Sequence, residues 1–231
     1  MTSERRLRRI EAVREKVAWA LERSGREPGD ARILIAGKYY TVEQTSALVE
    51  AGVDLVGENR LEELVLKQEQ FGDDFEWHFI GHLQRRKAKD VVPRVSLIHS
   101  VDSRRLIEEL EKRAPEEGID ILLQVNVSGE KSKYGVEEEQ VEELLEAAAE
   151  TVGSVRVQGF MTIAPQVEQA ENVRYVFAKL REIRDRLRSS WSPHVDLSHL
   201  SMGMSDDYEV AVEEGATLLR IGRTIIREDD R

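Results

Sequence analysis

Residues 33–44 read Ile33-Leu34-Ile35-Ala36-Gly37-Lys38-Tyr39-Tyr40-Thr41-Val42-Glu43-Gln44. The first four are an unbroken apolar run, the composition of a strand buried on both faces. Thr41, with Gln44 three residues on, is a capping box that starts a helix. A short buried strand running straight into a capped helix is the repeating unit of a parallel α/β fold.

Working outward, the same alternation recurs. Leu55-Val56 reads as a second strand, with a helix from about Asn59. Trp77-His78-Phe79-Ile80 is a third, and Val95 to Val101 a fourth, with Asp102 placed to cap the next helix. Ile119 to Val127 is a fifth. Val141, Leu144, Leu145 and Ala148 then mark one face of a helix. A sixth strand spans Val155 to Ile163, followed by a long helix with Val173, Val176, Phe177, Leu180, Ile183 and Leu187 on one side. Strand seven is expected near Val195 to Ser201, a short helix from Asp206 to about Glu214, and strand eight from Thr217 to Ile221. Eight strands with intervening helices predict a single (β/α)8 TIM barrel, class α/β, over residues 1–231 as one domain. An open doubly wound sheet is the alternative, weakened by the lack of Gly-x-Gly-x-x-Gly after the first strand.

Ahead of the first strand, Leu7, Ile10, Val13, Val17 and Leu21 recur at helical spacing. They predict an extra N-terminal helix whose Arg-rich start, Arg5-Arg6-Leu7-Arg8-Arg9, forms a solvated basic face. The net charge of -11 argues against nucleic acid as a partner. The chain has no cysteine, which excludes disulfides, thiolate metal sites and a cysteine nucleophile. No signal-peptide core and no apolar run of roughly 18 residues stand out, so a cytoplasmic location without membrane contact is expected.

In this architecture ligands gather at the C-terminal ends of the strands. Lys38 stands at the first such end, either as a salt-bridge partner or as an amine able to form a Schiff base with an aldehyde. Gly57-Glu58-Asn59-Arg60 closes strand two, as a turn and cap or as a place where Asn59 meets a ligand. His78 and His82 have the spacing of a helical metal pair but lie on strand and turn, so packing and hydrogen bonding are the preferred roles. Ser205 precedes the helix after strand seven, as a plain N-cap or a phosphate ligand. Arg220, Gly222 and Arg223 end strand eight, with Arg220 either in a surface ion pair or at an anion site and Gly222 allowing a backbone amide to approach an anion. Barrels frequently bind phosphate with the loops after strands seven and eight, so a phosphate site is expected there.

Together these segments resemble the pyridoxal 5′-phosphate (PLP) homeostasis protein family. The likeness runs through Gly37-Lys38, Gly57-Glu58-Asn59-Arg60, Trp77 to Gln84, His99-Ser100-Val101-Asp102 and Gln124-Val125-Asn126. It continues in Lys133-Tyr134-Gly135, Gly159-Phe160-Met161-Thr162, Leu200 to Asp207 and Leu219 to Gly222. That family is similar to the barrel domain of alanine racemase. The resemblance implies PLP held on Lys38 as a Schiff base, its phosphate on Ser205 and the amides of Gly222 and Arg223. It also implies Arg220 facing the pyridine nitrogen and Asn59 beside the ring. The function implied is to bind, buffer and deliver PLP, with PLP-requiring apoenzymes as partners and without established catalysis. An isolated barrel needs no partner to complete its pocket, so a monomer is expected.

A PLP-dependent amino-acid racemase is the alternative. The related racemases take their second acid/base group from an additional domain for which the barrel leaves no room, so Tyr39, Tyr40 or His82 would have to serve. A lysine Schiff-base aldolase for sugar phosphates is a further alternative. Four positions depart from the family pattern: Gly37 and Tyr39 flank the lysine, Arg86 replaces the usual Asn, and Arg227 ends Thr224-Ile225-Ile226-Arg227.

Overall fold

The structure, a computed structural model, describes residues 3–130, 133–191 and 195–226. Arg227 lies outside the described residues. Helix α1 (Ser3–Arg23) leads into β1 (Arg32–Ala36), α2 (Val42–Glu50), β2 (Leu55–Glu58), α3 (Leu61–Phe71) and β3 (Glu76–Phe79). Then follow α4 (Ala88–Val91), β4 (Leu97–Val101), α5 (Arg104–Glu111), β5 (Ile119–Gln124) and α6 (Val141–Ala149). The chain continues through β6 (Val155–Met161), α7 (Arg174–Trp191), β7 (His199–Met204), α8 (Tyr208–Glu213) and β8 (Leu218–Ile221). The eight strands are all parallel and in sequential order, and β1 pairs with β8 to close the barrel. The barrel is therefore formed as expected, and the open sheet is excluded.

The capping box at α2 is present in full. Gln44 N–H donates to Thr41 Oγ1 at 3.3 Å and Thr41 N–H to Gln44 Oε1 at 3.1 Å. Alternate strand residues point to opposite sides. Ile35, Val56, Trp77, Phe79, Ile98, Ile121 and Leu219 face outward into one large apolar layer beneath the helices. Leu34, Leu55, Leu97, Leu122, Met161 and Leu218 form a separate, smaller cluster inside the barrel.

Three expectations need correction. Strand seven starts later and ends later than Val195 to Ser201. Its ladder begins where His199 meets Gly159, and a bulge at Gly203 (φ +90°) carries the strand through Met204. Glycine and methionine read as loop, yet a bulge tolerates them. Asp102 caps nothing, since Ser103 takes the N-cap position and Asp102 sits instead near His82. Finally, the basic stretch of α1 is only partly solvated. Arg6 is buried over the Tyr40 ring, Arg9 donates to the Ile225 carbonyl, and further along Arg14 donates to the Ala51 and Gly52 carbonyls. These arginines dock the helix, while Ile10, Val13, Val17 and Leu21 are buried as the spacing predicts.

Candidate functional site

The C-terminal mouth of the barrel holds a cavity of about 200 Å³ whose lining includes Lys38, Asn59, Ser205, Arg220, Gly222 and Arg223. The six residues that the resemblance assigns to the cofactor thus share one space.

Lys38 lies in a single 3₁₀ turn, Gly37–Tyr39, directly after β1. That turn is held from beneath. The Lys67 ammonium, fully buried, donates to the Gly37 carbonyl at 2.8 Å and to Glu58 Oε1 at 2.5 Å. Burial raises the Glu58 carboxyl, and Lys67 opposes that rise. A methyl group on residue 37 would collide with the Glu58 carboxylate, so glycine is what lets the two approach. The Lys38 ammonium stands 5.0 Å from the centre of the Tyr39 ring.

At the other side of the cavity Ser205 Oγ accepts from Thr224 N–H at 3.1 Å and from Gly222 N–H at 3.4 Å. The Thr224 hydroxyl donates back to the Ser205 carbonyl at 3.1 Å. The expectation that Ser205 caps the next helix is not met. Helix α8 begins only at Tyr208, after Asp207, whose carboxylate accepts from Met204 N–H at 2.6 Å. Amides of the loop after β8, rather than of a helix, therefore surround the Ser205 hydroxyl. Any side chain at residue 222 would strike the Tyr39 ring, which packs on the glycine. The Arg223 guanidinium turns to Asp206 at 2.6 Å, so a ligand role for this residue rests on its backbone.

Arg220 points inward from β8 and is buried. Its Nη1 donates to Ser201 Oγ at 2.6 Å and its Nη2 to the Thr162 carbonyl at 2.8 Å. No carboxylate pairs with it among the described residues, which rules out a surface ion pair. Burial pushes its guanidinium down to about 10, against the pull of Asp207, so it stays a cation at neutral pH. Asn59 Oδ1 is buried without a hydrogen-bond partner. An orphaned acceptor of this kind in a wall calls for a donor that arrives with a ligand.

The donor set fits PLP. An amine reaches the mouth for the aldehyde, a buried donor-only cation forms part of the floor, and a hydroxyl with loop amides stands where a phosphate would sit.

The two histidines do not form a metal pair. His78 points into the barrel, while His82 stacks on Tyr134 with ring centres 4.0 Å apart. No group of metal-ligating residues occurs among the described residues. Of the departures, Gly37 and Tyr39 line or brace the cavity, whereas Arg86 donates to Gln84 Oε1 at the surface. Sequence reading missed Lys67, His99 and Ser201 as functional residues. Lys67 sits in a polar helix stretch, Leu66-Lys67-Gln68-Glu69, that gives no sign of burial. His99 and Ser201 did carry a signal, because each is a polar residue at an inward position of a mostly apolar strand.

Residues 10–227 match the family model described as alanine racemase, N-terminal domain. The pyridoxal phosphate homeostasis protein of Aquifex aeolicus is 46% identical over 223 residues, covering 95% of this chain and 96% of that protein. The protein of the same name from Escherichia coli K12 is 34% identical over 228 residues, covering 94% of each. Among solved structures, PipY of Synechococcus elongatus with PLP bound aligns with a TM-score of 0.82 at 29% identity, over 96% of this chain and all of that one. With its closed barrel and a cavity suited to PLP, the chain belongs to the pyridoxal phosphate homeostasis protein family, built on the alanine racemase N-terminal domain.

Proposed function

We propose that this protein binds PLP through Lys38, stores it, and delivers it to PLP-requiring apoenzymes without transforming a substrate. The observation that carries this reading is the meeting of Lys38, Ser205 with its loop amides, and Arg220 around one cavity. The PLP-bound structure of PipY and the names of the curated relatives support it.

When bound, PLP supplies a reactive aldehyde and a ring that can draw electrons from an attached carbon. Lys38 offers the amine. Ser205 and the amides of Gly222 and Arg223 would hold the phosphate, and Asn59 would stand beside the ring. Arg220, having donors alone, would donate to an unprotonated ring nitrogen and resist its protonation. That residue therefore works against carbanion chemistry, which needs an electron-poor ring.

A racemase would require a second acid/base group. Tyr40 is buried and its hydroxyl is raised by that burial, Tyr39 is packed on Gly222, and His82 is stacked on Tyr134. The carrier reading is favoured on this geometry. Titration with PLP, followed by visible absorbance, tests it. The wild type gains a visible band that Lys38→Ala lacks, and Ser205→Ala binds about tenfold or more weakly, the effect of losing a hydrogen bond to a charged group. Deuterium entering the α position of amino acids from solvent would instead support the racemase.

A further inference from the structure

Arg220 is a buried cation with two neutral hydrogen-bond partners, Ser201 Oγ and the Thr162 carbonyl. An arrangement of that kind is costly unless the surroundings supply compensating polarity. Ser201 leads to such a source. Its Oγ lies 2.9 Å from His99 Nδ1, His99 Nε2 lies 2.9 Å from His78 Nδ1, and His78 Nε2 lies 2.9 Å from Glu76 Oε1. Four successive hydrogen bonds thus run through the barrel interior, from Arg220 near the cofactor mouth to Glu76 at the start of β3. Glu76 opens there onto a small cavity at the N-terminal mouth, shared with Arg32, Asp120, Gln158 and His199.

The chemistry of the two ends fixes the direction of every bond. Arg220 can only donate, so Ser201 Oγ accepts from it. Glu76 is held ionised, down to about 2, by its hydrogen bond from His78 and by Arg32 at 2.9 Å. An ionised carboxylate only accepts, so His78 carries its proton on Nε2. Burial keeps both histidines neutral. A neutral His78 with Nε2–H has a bare Nδ1, so His99 must donate from Nε2. His99 Nδ1 is then bare, and the Ser201 hydroxyl donates to it. With both rings neutral, no other arrangement satisfies every group. Each proton points toward Glu76, and each lone pair toward Arg220. Bonds aligned in this way polarise one another.

We propose that Glu76, His78, His99 and Ser201 are positioning residues for Arg220, a one-directional hydrogen-bond chain that presents the influence of a distant carboxylate to the guanidinium and fixes it where it would face the cofactor's ring nitrogen. The part concerning the ring rests on the PLP reading above; the direction of the chain does not. The other charged or titratable groups around it are Arg32, Asp120 and His199 at the lower end and Asp207 at the upper end.

Two measurements test this. In the protein without PLP, nitrogen NMR should find His78 and His99 both neutral and both protonated on Nε2 at pH 7. A proton on Nδ1 of either, or a cationic ring, overturns the chain. In the PLP-loaded protein, the pH midpoint of the visible band reports on charge near the ring. Ser201→Ala and Glu76→Gln should move it in the same direction, by about half a pH unit or more, and Ser201→Thr should restore it. Asp120→Asn removes a carboxylate at the same lower mouth that bonds Arg156 and Gln158 instead, and should leave the midpoint in place. Equal shifts in Glu76→Gln and Asp120→Asn would mean a mere through-space field, and an unmoved Glu76→Gln would mean no coupling. Either result rejects the proposal. A wild type that takes up no PLP would reject the binding reading, while the histidine spectra would still decide the chain.

Discussion

The layer outside the barrel and the space inside it are filled by alternate residues of the same strands, yet their chemistry differs. On β3, Trp77 and Phe79 enter the outer apolar layer while His78 turns inward. On β4 the pair is Ile98 and His99, on β7 Leu200 and Ser201, and on β8 Leu219 and Arg220. The outer layer depends on area removed from water, a non-directional effect. The inner polar residues depend on hydrogen bonds that must all be made, in a medium where an unmade one is expensive. One side of each strand holds the barrel shut, and the other builds a floor for the cofactor mouth.

Substitutions can break this division or sharpen it. The largest effects are expected where either side loses a buried group outright. Phe177→Ala empties space in the outer layer beneath α7 and should cost about 3–5 kcal/mol in denaturant unfolding. PLP binding should survive at low temperature, because Phe177 is absent from the mouth. Lys67→Met should cost about as much, roughly 3–5 kcal/mol, by leaving Glu58 buried without its partner. Here PLP binding should weaken as well, since the Gly37–Tyr39 turn loses its brace. Equal PLP affinity in the two variants would erase the contrast between layer and site.

Of intermediate size, His99→Leu should cost about 1–3 kcal/mol, because His78 and Ser201 each lose a hydrogen bond inside the barrel. The same variant sharpens a pH effect. Burial lowers His78 and His99, so between their folded values and the ordinary value of about 6.5 the unfolded chain binds more protons than the fold. Stability therefore falls as pH drops below about 6.5, with a slope of up to about 1.4 kcal/mol per pH unit for each such histidine. His99→Leu should flatten that slope in urea unfolding at pH 5 to 7. The smallest effect belongs to the surface. Arg104→Ala removes exposed pairs with Glu108 and Glu150 and should change stability by less than about 1 kcal/mol.

The outer layer was largely legible in the sequence, because apolar runs and helical spacing report burial directly. The N-terminal helix, the α2 capping box and the order of eight strands follow from it. The late end of β7 was not legible, since a bulge at Gly203 turns a loop-like composition into strand. The mouth was legible in its members but not in its joinery. Lys38, Asn59, Ser205, Arg220 and Gly222 stand at strand ends, where the fold alone directs attention. That Ser205 is met by amides of the β8 loop, and that Lys67 reaches from α3 to the Gly37 carbonyl, depends on contacts distant in sequence. The inner chain joins residues 76, 78, 99, 201 and 220, too widely separated for any local pattern. Only the parity of polar residues within apolar strands marks them.

The most direct test is chemical. The purified protein, incubated with PLP and reduced with borohydride, should yield one modified peptide containing Lys38, with the label lost in Lys38→Ala. Label spread over surface lysines with Lys38 spared, or label undiminished in the variant, would contradict a cofactor bound at the barrel mouth.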